Sequence, residues 1–411
     1  MAEIRRVVIV GGGLGGAKTA EALRRQGFEG SVTLVGAEAE TPYQRPPLSK
    51  EYLTGKAGFD KALVHPLDWY AEHDVELRLG TRVTRVGPAE HEVGLDDGTT
   101  LGYDKLVLAT GSSPRALPVP GGDAAGVHYL RTHADSDKIR DCFGIDRHLV
   151  IVGGGWIGLE VAAAARAAGM DVTVLGHERL PLLKVLGAEM AAVFARLHRE
   201  NGVDLRPGVE VEAILTSGDR AVGVRVAGGD TIMADDVVVG IGVDPNLAIE
   251  GLDALDQDNG LLVDASLRTS DPDIYAVGDI ANHLHPVLKQ RIRLEHWAAA
   301  LYQPRVAVAA LLGGSDEYTR LPYFFTDQYD LGMEYVGWAP EASYTQVVVR
   351  GDLAGREFVA FWLDRGKRIR AAMNVNVWDV PQKVEPLIAA GTRVDPDRLA
   401  DPGVDYDQLA G

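Results

Sequence analysis

The chain has 411 residues, of which 46% are hydrophobic and 24% charged, and its formal net charge is −18. This length predicts two to four domains at roughly 100–200 residues each. The excess of acidic residues disfavours general nucleic-acid binding, which requires cations that neutralise phosphates. No apolar run reaches the ~18 residues that span a bilayer, and residues 1–6 lead into a strand without a signal-peptide pattern. These features predict a cytoplasmic protein that binds neither nucleic acid nor membrane.

One local design occurs twice in the chain. Each copy has a short apolar run typical of a buried parallel strand, then a glycine-rich turn, an Ala-rich helix and a second strand. A β-turn-α-β unit that is repeated at a domain-sized interval predicts an α/β protein with two Rossmann-like domains. The copies comprise residues 7–10, 11–16, 17–25 and 31–35, and residues 149–152, 153–158, 159–168 and 171–175.

Both glycine turns match the dinucleotide-binding pattern Gly-x-Gly-x-x-Gly between a strand and a helix. The first glycine allows the tight turn, the second allows the pyrophosphate to come close, and the third allows the helix to pack closely. The helix N-terminus supplies N–H groups for the phosphates. A single match would also fit an ordinary packing turn, whereas two matches in the right context predict two nucleotide sites. The candidate residues are Gly11, Gly13, Leu14, Gly15 and Gly16, and Gly153, Gly155, Trp156, Ile157 and Gly158.

Two further segments indicate that the first site binds FAD. Ala109-Thr110-Gly111 ends a buried strand, as where a chain leaves a flavin domain, and Gly278-Asp279 ends another. A carboxylate at Asp279 can accept a hydrogen bond from a ribityl hydroxyl, and Gly278 allows the backbone to come close. The combination with the N-terminal fingerprint favours this interpretation over a simple turn.

The sequence changes character near its C-terminal end. From Phe324 onward the glycine turns disappear and alternating strands are predicted at residues 346–350 and 358–363. This pattern predicts a third domain of the α+β type. The Asp- and Pro-rich tail after Thr392 is expected to be a solvated extension.

Over residues 1–320 these segments resemble the two-dinucleotide flavoprotein family that includes glutathione reductase. The resemblance implies that FAD occupies the N-terminal site and NAD(P)H the middle one, and that the chain returns near residues 240–246 to complete the FAD domain. The predicted boundaries are residues 1–113 and 244–320 for the two parts of the FAD-binding domain, 114–243 for the NAD(P)H-binding domain, and 321–411 for the C-terminal domain.

The segment at residues 41–50 separates branches of this family. Disulfide reductases carry a cysteine pair beside the flavin and some relatives a single cysteine, but this segment has no sulfur. Cys142 is the only cysteine and lies between the two fingerprints, so redox-relay thiol chemistry is excluded. The run from Arg45 to Lys50 instead resembles the flavin-side motif of oxygenase-coupled NAD(P)H ferredoxin reductases. The similarity implies that Leu48-Ser49-Lys50 starts a helix that brings a cation to the flavin.

The same resemblance implies further site residues. Lys50 and Glu160 would face each other at the nicotinamide site, where an ion pair tunes a flavin whose charge changes. The amide of Trp297 would donate to flavin O2 from a helix N-terminus. Tyr323 and Phe325 stand where relatives often carry tryptophans, so the flavin edge should be aromatic, and no metal is expected. The other implied FAD contacts are Ala37, Glu38, Arg45, Pro46, Val83, Arg131, Glu295 and His296, and the other NAD(P)H contacts are His177, Glu178, Arg179 and Gly242.

The choice between NADH and NADPH stays open. NADH sites carry an acidic residue about 20 residues after the last glycine, and Gly176 stands where relatives that prefer NADH have this acid. His177 and Arg179 would attract a 2′-phosphate, whereas Glu178 would bind ribose hydroxyls. The resemblance alone favours NADH. In the FAD site Glu38, after Ala37, is the expected ribose partner.

The resemblance implies electron transfer from NAD(P)H through FAD to a small [2Fe–2S] or related ferredoxin that serves a cytochrome P450 or a dioxygenase. The protein is expected to be a monomer or weak dimer. An acidic ferredoxin would dock on a local basic patch. Two alternatives remain: an NADH oxidase or diaphorase without a protein acceptor, and a redox-gated binding protein like apoptosis-inducing factor. The cations proposed for docking are Lys289, Arg291, Arg293 and Lys383.

Overall fold

The computed structural model describes residues 4–409, and within them the chain forms two compact units. The first unit contains the described residues up to Arg45 together with Phe59–Ser113 and Asp244–Pro322. The second contains Pro46–Gly58, Pro114–Val243 and the described residues from Tyr323 onward. Part of the N-terminal segment in which no signal peptide is predicted, residues 1–3, and the end of the predicted C-terminal domain, residues 410–411, lie outside the described residues.

A five-stranded parallel sheet forms the centre of the first unit. Its middle strand contains the Val-Val-Ile-Val run, which is buried throughout, as expected for a central parallel strand covered on both faces. The predicted β-turn-α-β order of the first copy is therefore present. In order across the sheet, the strands are β19 (Ile274–Ala276), β7 (Lys105–Leu108), β1 (Arg6–Val10), β2 (Ser31–Gly36) and β3 (Val75–Leu79).

Two smaller sheets and three helices complete the first unit. Their apolar side chains join one core with the parallel sheet. An antiparallel sheet contains β4 (Val83–Gly87), β5 (Glu92–Leu95) and β6 (Thr100–Gly102), and a mixed sheet contains β18 (Leu261–Val263), β20 (Ala281–His285) and β21 (Gln290–Arg293). The helices are α1 (Leu14–Arg25), α2 (Leu67–Glu72) and α6 (Trp297–Leu311). Strands β8 (Ser112–Pro114) and β17 (Val243–Pro245) lie where the chain passes between the units.

The second unit repeats the parallel architecture. Its central strand again contains an apolar Leu-Val-Ile-Val run, which is buried and precedes the second glycine turn. The parallel sheet has the order β12 (Asp204–Pro207), β11 (Asp171–Gly176), β10 (His148–Val152), β16 (Asp236–Val239) and β9 (Val127–Tyr129). An antiparallel sheet contains β13 (Val211–Ser217), β14 (Arg220–Val226) and β15 (Thr231–Met233), and the helices are α3 (His133–Asp141), α4 (Trp156–Ala167) and α5 (Leu183–Glu200).

The C-terminal part of the second unit is an antiparallel sheet, as the alternating pattern predicts. One apolar core joins this sheet to α4 and α5 through Leu159, Phe194 and Trp362. The strand order is β22 (Tyr323–Gln328), β23 (Leu331–Gly337), β26 (Ile369–Val375), β25 (Glu357–Leu363) and β24 (Gln346–Asp352), followed in the chain by α7 (Pro381–Ala389) and α8 (Pro396–Ala400).

The expectation of a solvated C-terminal tail is wrong for the described residues. Val394, Leu399 and Leu409 are buried. The Arg350 guanidinium donates to the Val404 carbonyl oxygen at 2.7 Å and lies 4.7 Å from the centre of the Tyr406 ring. Apolar side chains spaced along the tail and one arginine therefore pack it against the sheet.

The segment around Lys50 also differs from the prediction. The residues Pro46–Ser49 form a short 3₁₀ turn, and no α-helix begins at Leu48. The residues Pro46–Gly58 belong to the second unit, whereas the predicted boundaries place them in the first part of the FAD-binding domain. The Lys50 N–H donates to the Pro47 carbonyl oxygen three residues back at 3.1 Å, which is the hydrogen-bond spacing of a 3₁₀ turn. Among residues 4–409, no helix is long and apolar enough to cross a bilayer.

Candidate functional site

The first glycine turn has the geometry that a dinucleotide requires. Gly11 has φ of +125°, and a Cβ atom there would lie 2.2 Å from the Ala109 carbonyl oxygen. A Cβ atom on Gly16 would lie 1.9 Å from the Gly11 carbonyl oxygen. Gly13 differs, since nothing lies within 4 Å of the position of its Cβ and no side chain caps the helix that begins after it. The N-terminus of α1 therefore has room for a phosphate, and this arrangement fits FAD.

The second glycine turn has the same three-part geometry. Gly153 has φ of +116°, and a Cβ atom there would lie 2.2 Å from the Gly240 carbonyl oxygen. A Cβ atom on Gly158 would lie 2.2 Å from the Gly153 carbonyl oxygen. The Cβ position of Gly155 has only one neighbour, at 3.8 Å. The Trp156 side chain packs in the second unit with its ring centre 5.5 Å from that of Phe194. With its side chain packed in this way, Trp156 would contact a nucleotide through its main chain, while the Ile157 side chain is exposed.

Asp279 is held in the first unit at the end of the strand predicted to reach the flavin. It is buried, and its Oδ2 accepts a 2.5 Å hydrogen bond from Ser112. Gly278 has φ of +75°, a conformation that favours glycine, and its N–H donates to Gln303 on α6 at 2.7 Å. Thr110 and Asn246 exchange two hydrogen bonds between the neighbouring loops. These contacts fix the main chain around the proposed ribityl site.

Helix α6 begins at Trp297, as the motif predicts, with the half-buried His296 as its N-cap. No side chain caps this helix start. The Trp297 indole Nε1 donates to Gln44 Oε1 at 2.9 Å. Sequence reasoning missed Gln44 and Ser112, because both become relevant only through tertiary contacts.

Glu38, the expected ribose partner, is bound by two residues of the same unit. Its carboxylate accepts hydrogen bonds from the Tyr43 hydroxyl and from Arg45 at 2.7 Å. Arg45 also lies 5.2 Å from the centre of the Tyr43 ring. These contacts orient the carboxylate at the end of β2, and the neighbouring Ala37 is exposed. The first motif residue, Arg45, thus acts structurally on Glu38.

Lys50 and Glu160 form the expected ion pair within the second unit. Lys50 Nζ lies 2.7 Å from Glu160 Oε1, and the two side chains are only 11% and 4% exposed. Ser49 donates to Glu160 Oε2, and Thr326 donates to Oε1 at 2.6 Å. Lys50 Nζ also lies 5.6 Å from the centre of the Phe325 ring, so an aromatic residue lies at this cation. Because both charges are buried, removing either partner would leave the other unpaired, which typically costs about 3–5 kcal/mol.

The end of β11 presents the groups considered for nucleotide choice. The nearest atom to a Cβ on Gly176 is the Glu178 carbonyl oxygen at 3.6 Å, so a side chain fits there. Lys184 lies 2.5 Å from the Glu178 carboxylate and, through this hydrogen bond, lowers the pKa of Glu178. His177 and Arg179 are exposed. Glu178 is therefore already paired, which weakens its candidacy as a ribose acceptor.

The remaining predicted contact residues occupy varied positions. Val83 is a buried residue at the start of β4. Gly242 has φ of +110°, and its carbonyl oxygen accepts from the Arg115 N–H at 2.9 Å. Arg131 immediately precedes the Thr132–Asp135 capping box of α3, and its own N–H donates to Asp135.

The structure corrects the set of docking cations. Arg293 is only 7% exposed, and its guanidinium bonds the Asp279 carbonyl oxygen at 3.1 Å and Glu295 at 2.6 Å. It therefore supports the proposed flavin-binding loop and offers no charge to a partner. Arg291 is exposed but also donates to two main-chain carbonyl oxygens. Lys289 is exposed in the first unit, and Lys383 is exposed in the second, 6.0 Å from the centre of the Tyr406 ring.

Cys142 has none of the properties of a redox thiol. It is buried, and burial raises its pKa to about 12. Together with His128 and Asp236 it forms a group with metal-ligating atoms. Arg147 and Arg220 already pair with Asp236, at 2.5 and 3.0 Å. These cations oppose the binding of a metal ion at this position.

Comparison with known proteins gives the family. The model for "Pyridine nucleotide-disulphide oxidoreductase" matches residues 5–303. The chain belongs to this family. A second model, "Reductase C-terminal", matches residues 323–410. Members of this family contain FAD and use NAD(P)H, so the predicted fold class, family and cofactor pair are confirmed.

The chain is similar to several reductases over nearly its whole length. The ferredoxin–NAD(+) reductase component of an anthranilate 1,2-dioxygenase system from Burkholderia cepacia is 43% identical over 97% of each chain. Putidaredoxin reductase from Pseudomonas putida is 39% identical over 98% of this chain and 96% of its own. The crystal structure of the covalent putidaredoxin reductase–putidaredoxin complex contains a chain with 38% identity and a TM-score of 0.94, with 98% of each chain covered.

Proposed function

We propose that this protein is a ferredoxin reductase, which takes electrons from NAD(P)H and passes them to a small iron–sulfur ferredoxin of an oxygenase system. The observation that carries the proposal is the buried Lys50–Glu160 pair, in a chain whose only cysteine lies elsewhere. The names of the relatives support a ferredoxin as the acceptor. The name of the relative from Burkholderia cepacia also supports a dioxygenase as the final consumer of electrons, and a cytochrome P450 is the other consumer that we propose.

The proposed division of labour follows from the contacts in each unit. Gly13 and the N-terminus of α1 would hold the pyrophosphate of FAD, Asp279 its ribityl chain, and the Trp297 N–H its pyrimidine ring. When bound, FAD supplies the redox chemistry by accepting a hydride and releasing single electrons. Gly155 and the N-terminus of α4 would hold the nicotinamide nucleotide. Lys50 and Glu160 would orient it and fix the charge beside it.

The proposal is tested by the acceptor that the enzyme requires. The purified FAD-loaded protein is mixed with NADH or NADPH and cytochrome c, with and without a [2Fe–2S] ferredoxin. Cytochrome c reduction should depend on the ferredoxin and saturate with it. Rapid oxygen consumption without any gain from ferredoxin would instead support an NADH oxidase or diaphorase. A redox-gated binding protein would give slow turnover with every acceptor.

The finer points stay predictions with their own measurements. The cluster type of the acceptor is tested by comparing [2Fe–2S] with other ferredoxins in the same assay. A monomer or weak dimer is tested by sedimentation of the FAD-loaded protein, and the cytoplasmic location by cell fractionation.

A further inference from the structure

A row of buried polar side chains runs away from Glu160 through the second unit. Thr326 and Gln328 lie two residues apart on β22 and so share one face of the strand. Both are 1% exposed, and His198 on α5 is fully buried. Gln328 Nε2 lies 3.1 Å from Thr326 Oγ1, His198 Nε2 lies 2.8 Å from Gln328 Oε1, and the Tyr329 hydroxyl lies 3.3 Å from His198 Nδ1.

The donor and acceptor types allow only one direction along this row. Glu160 Oε1 is the acceptor of the Lys50 ammonium group at 2.7 Å, so Thr326 donates its hydroxyl proton to the same oxygen at 2.6 Å. Thr326 Oγ1 in turn accepts from the amide nitrogen of Gln328. Gln328 Oε1 can only accept, so His198 Nε2 carries a proton. Every donor in the row therefore points toward Glu160.

The state of His198 agrees with this direction. Burial lowers the pKa of His198 to about 4, so the ring is neutral near pH 7. With the proton on Nε2, Nδ1 is bare and accepts from the Tyr329 hydroxyl. The chain of donors therefore runs from Tyr329 through His198, Gln328 and Thr326 to the carboxylate.

Stability alone does not explain this row. It crosses an apolar core that includes Phe194 and Met333, and replacing both partners of a buried hydrogen bond by apolar groups is often neutral or stabilising. A polar chain inside such a core is instead suited to fixing one arrangement of the group at its end. Ser49 binds the other oxygen of Glu160, so both oxygens of the carboxylate are held.

We propose that Thr326, Gln328 and His198 are positioning residues, which hold the Glu160 carboxylate in one orientation so that it fixes Lys50 beside the nicotinamide. This inference rests on the proposed function, which places the Lys50–Glu160 pair at the nicotinamide face. The three residues touch neither the nucleotide nor the flavin in this proposal. Their effect passes through Glu160.

The direction of the chain is tested by nuclear magnetic resonance on FAD-loaded protein with ¹⁵N-labelled histidine. His198 should be neutral at pH 7 with its proton on Nε2, and Gln328→Met should shift this signal because it removes the acceptor. Thr173→Val is the control, because it also removes a buried hydrogen-bond partner of a histidine in the same unit. The Thr173 hydroxyl lies 2.9 Å from Nε2 of His148. This control should leave the His198 signal unchanged. A charged His198, or one protonated on Nδ1, would overturn the proposal.

The functional role is tested by single-turnover reduction of the bound FAD by NADH. Thr326→Val keeps the shape of the side chain and should slow reduction at saturating NADH by about tenfold, as expected for the loss of one hydrogen bond to a charged group. Thr326→Ser should recover most of the rate, and the FAD content and the Kd for NAD⁺ should stay close to wild type. If Thr326→Val does not fold, Gln328→Met replaces it with the same expected direction.

A double-mutant cycle separates this inference from the proposed function. In a Glu160→Ala background, Thr326→Val should cause no further loss of rate, because the group through which it acts is gone. If Glu160→Ala slows reduction while Thr326→Val behaves like Thr173→Val, the positioning role is wrong and the proposed function stands. A normal rate in Glu160→Ala would overturn the role of Glu160, and the positioning role with it.

Discussion

Gly16 packs against Gly11 so closely that a Cβ atom on Gly16 would lie 1.9 Å from the Gly11 carbonyl oxygen. Gly158 has the same relationship to Gly153 in the second unit, at 2.2 Å. The third glycine of each fingerprint is thus required for the strand-turn-helix to close. The second glycine of each fingerprint has an open Cβ position. It is required because the pyrophosphate is expected to come close to the main chain there.

Gly13→Val should yield protein that folds but binds little FAD. The valine side chain would project into open space at the N-terminus of α1, where the pyrophosphate is expected. The absorbance of the bound flavin in the purified variant measures this loss. Gly155→Val is the matched control, because it should keep its FAD and lose affinity for the nucleotide. Full flavin content in Gly13→Val would show that the first site is wrongly assigned.

Glu160→Ala should slow flavin reduction by the nucleotide while FAD stays bound. The change leaves Lys50, which is 11% exposed, without its carboxylate, and typical costs of such unpairing are about 3–5 kcal/mol of folding free energy. Stopped-flow absorbance gives the rate, and thermal unfolding gives the stability. Traces identical to wild type would remove Glu160 from the site.

The sequence was sufficient to predict the elements whose pattern lies within one short segment of the chain. The apolar strand, the three glycines and the helix follow one another within residues 6–25 and again within 148–167, and both copies have the predicted order. The motif around Lys50 led to Glu160 through family resemblance. The helix predicted to start at Leu48 was wrong, because Pro46–Ser49 forms a 3₁₀ turn.

Contacts between distant residues were beyond prediction. Thr326 is 166 positions from Glu160, and no periodic pattern links them. Arg293 was wrong as a docking cation because its burial depends on the placement of Asp279 and Glu295. The Asp- and Pro-rich composition of the tail predicted exposure, but Leu399 and Leu409 are buried in the fold.

Gly176→Glu should shift the kcat/KM ratio toward NADH. The Cβ position of Gly176 has its nearest neighbour at 3.6 Å, so the new side chain fits at the end of β11. Its carboxylate would accept hydrogen bonds from ribose hydroxyls and repel a 2′-phosphate. Steady-state kinetics with both nucleotides give the ratio, and Gly176→Gln controls for size without charge. An unchanged ratio would mean that other loops set the preference.

The protein should lose stability between about pH 6.5 and pH 4. Burial lowers the pKa of His198 to about 4 and that of His283 to about 3, below the ordinary value near 6.5. In this range the unfolded chain binds protons that the folded protein does not. The contribution of these histidines to the free energy of unfolding is therefore complete above pH 6.5 and is lost as the pH decreases. Each histidine contributes up to about 1.4 kcal/mol per pH unit.

Urea unfolding measured between pH 7 and pH 5 checks this loss. His283→Gln should reduce the slope of unfolding free energy against pH, whatever it does to stability at pH 7. Replacement of the exposed His177 should leave the slope unchanged. A slope that is identical in wild type and His283→Gln would contradict the assignment of His283 as a neutral buried group.

Ferredoxin-dependent reduction of cytochrome c should fall steeply between low and moderate salt, because screening weakens the attraction between an acidic ferredoxin and exposed cations. Lys289 and Lys383 are the exposed candidates, one in each unit, and Arg291 is committed in part to main-chain oxygens. Lys289→Glu and Lys383→Glu should each raise the KM for ferredoxin and leave the KM for the nucleotide unchanged.

Two comparisons decide whether these lysines bind the ferredoxin. Ferricyanide reduction requires no docked protein, so it should depend far less on salt and on either lysine. Arg225→Glu reverses a charge that is 45% exposed on β14 and should affect neither assay. If the lysine variants lose ferricyanide and ferredoxin activity equally, the lysines act through the flavin site or the fold. If they lose neither, the docking surface lies elsewhere on the protein, at another local group of exposed cations.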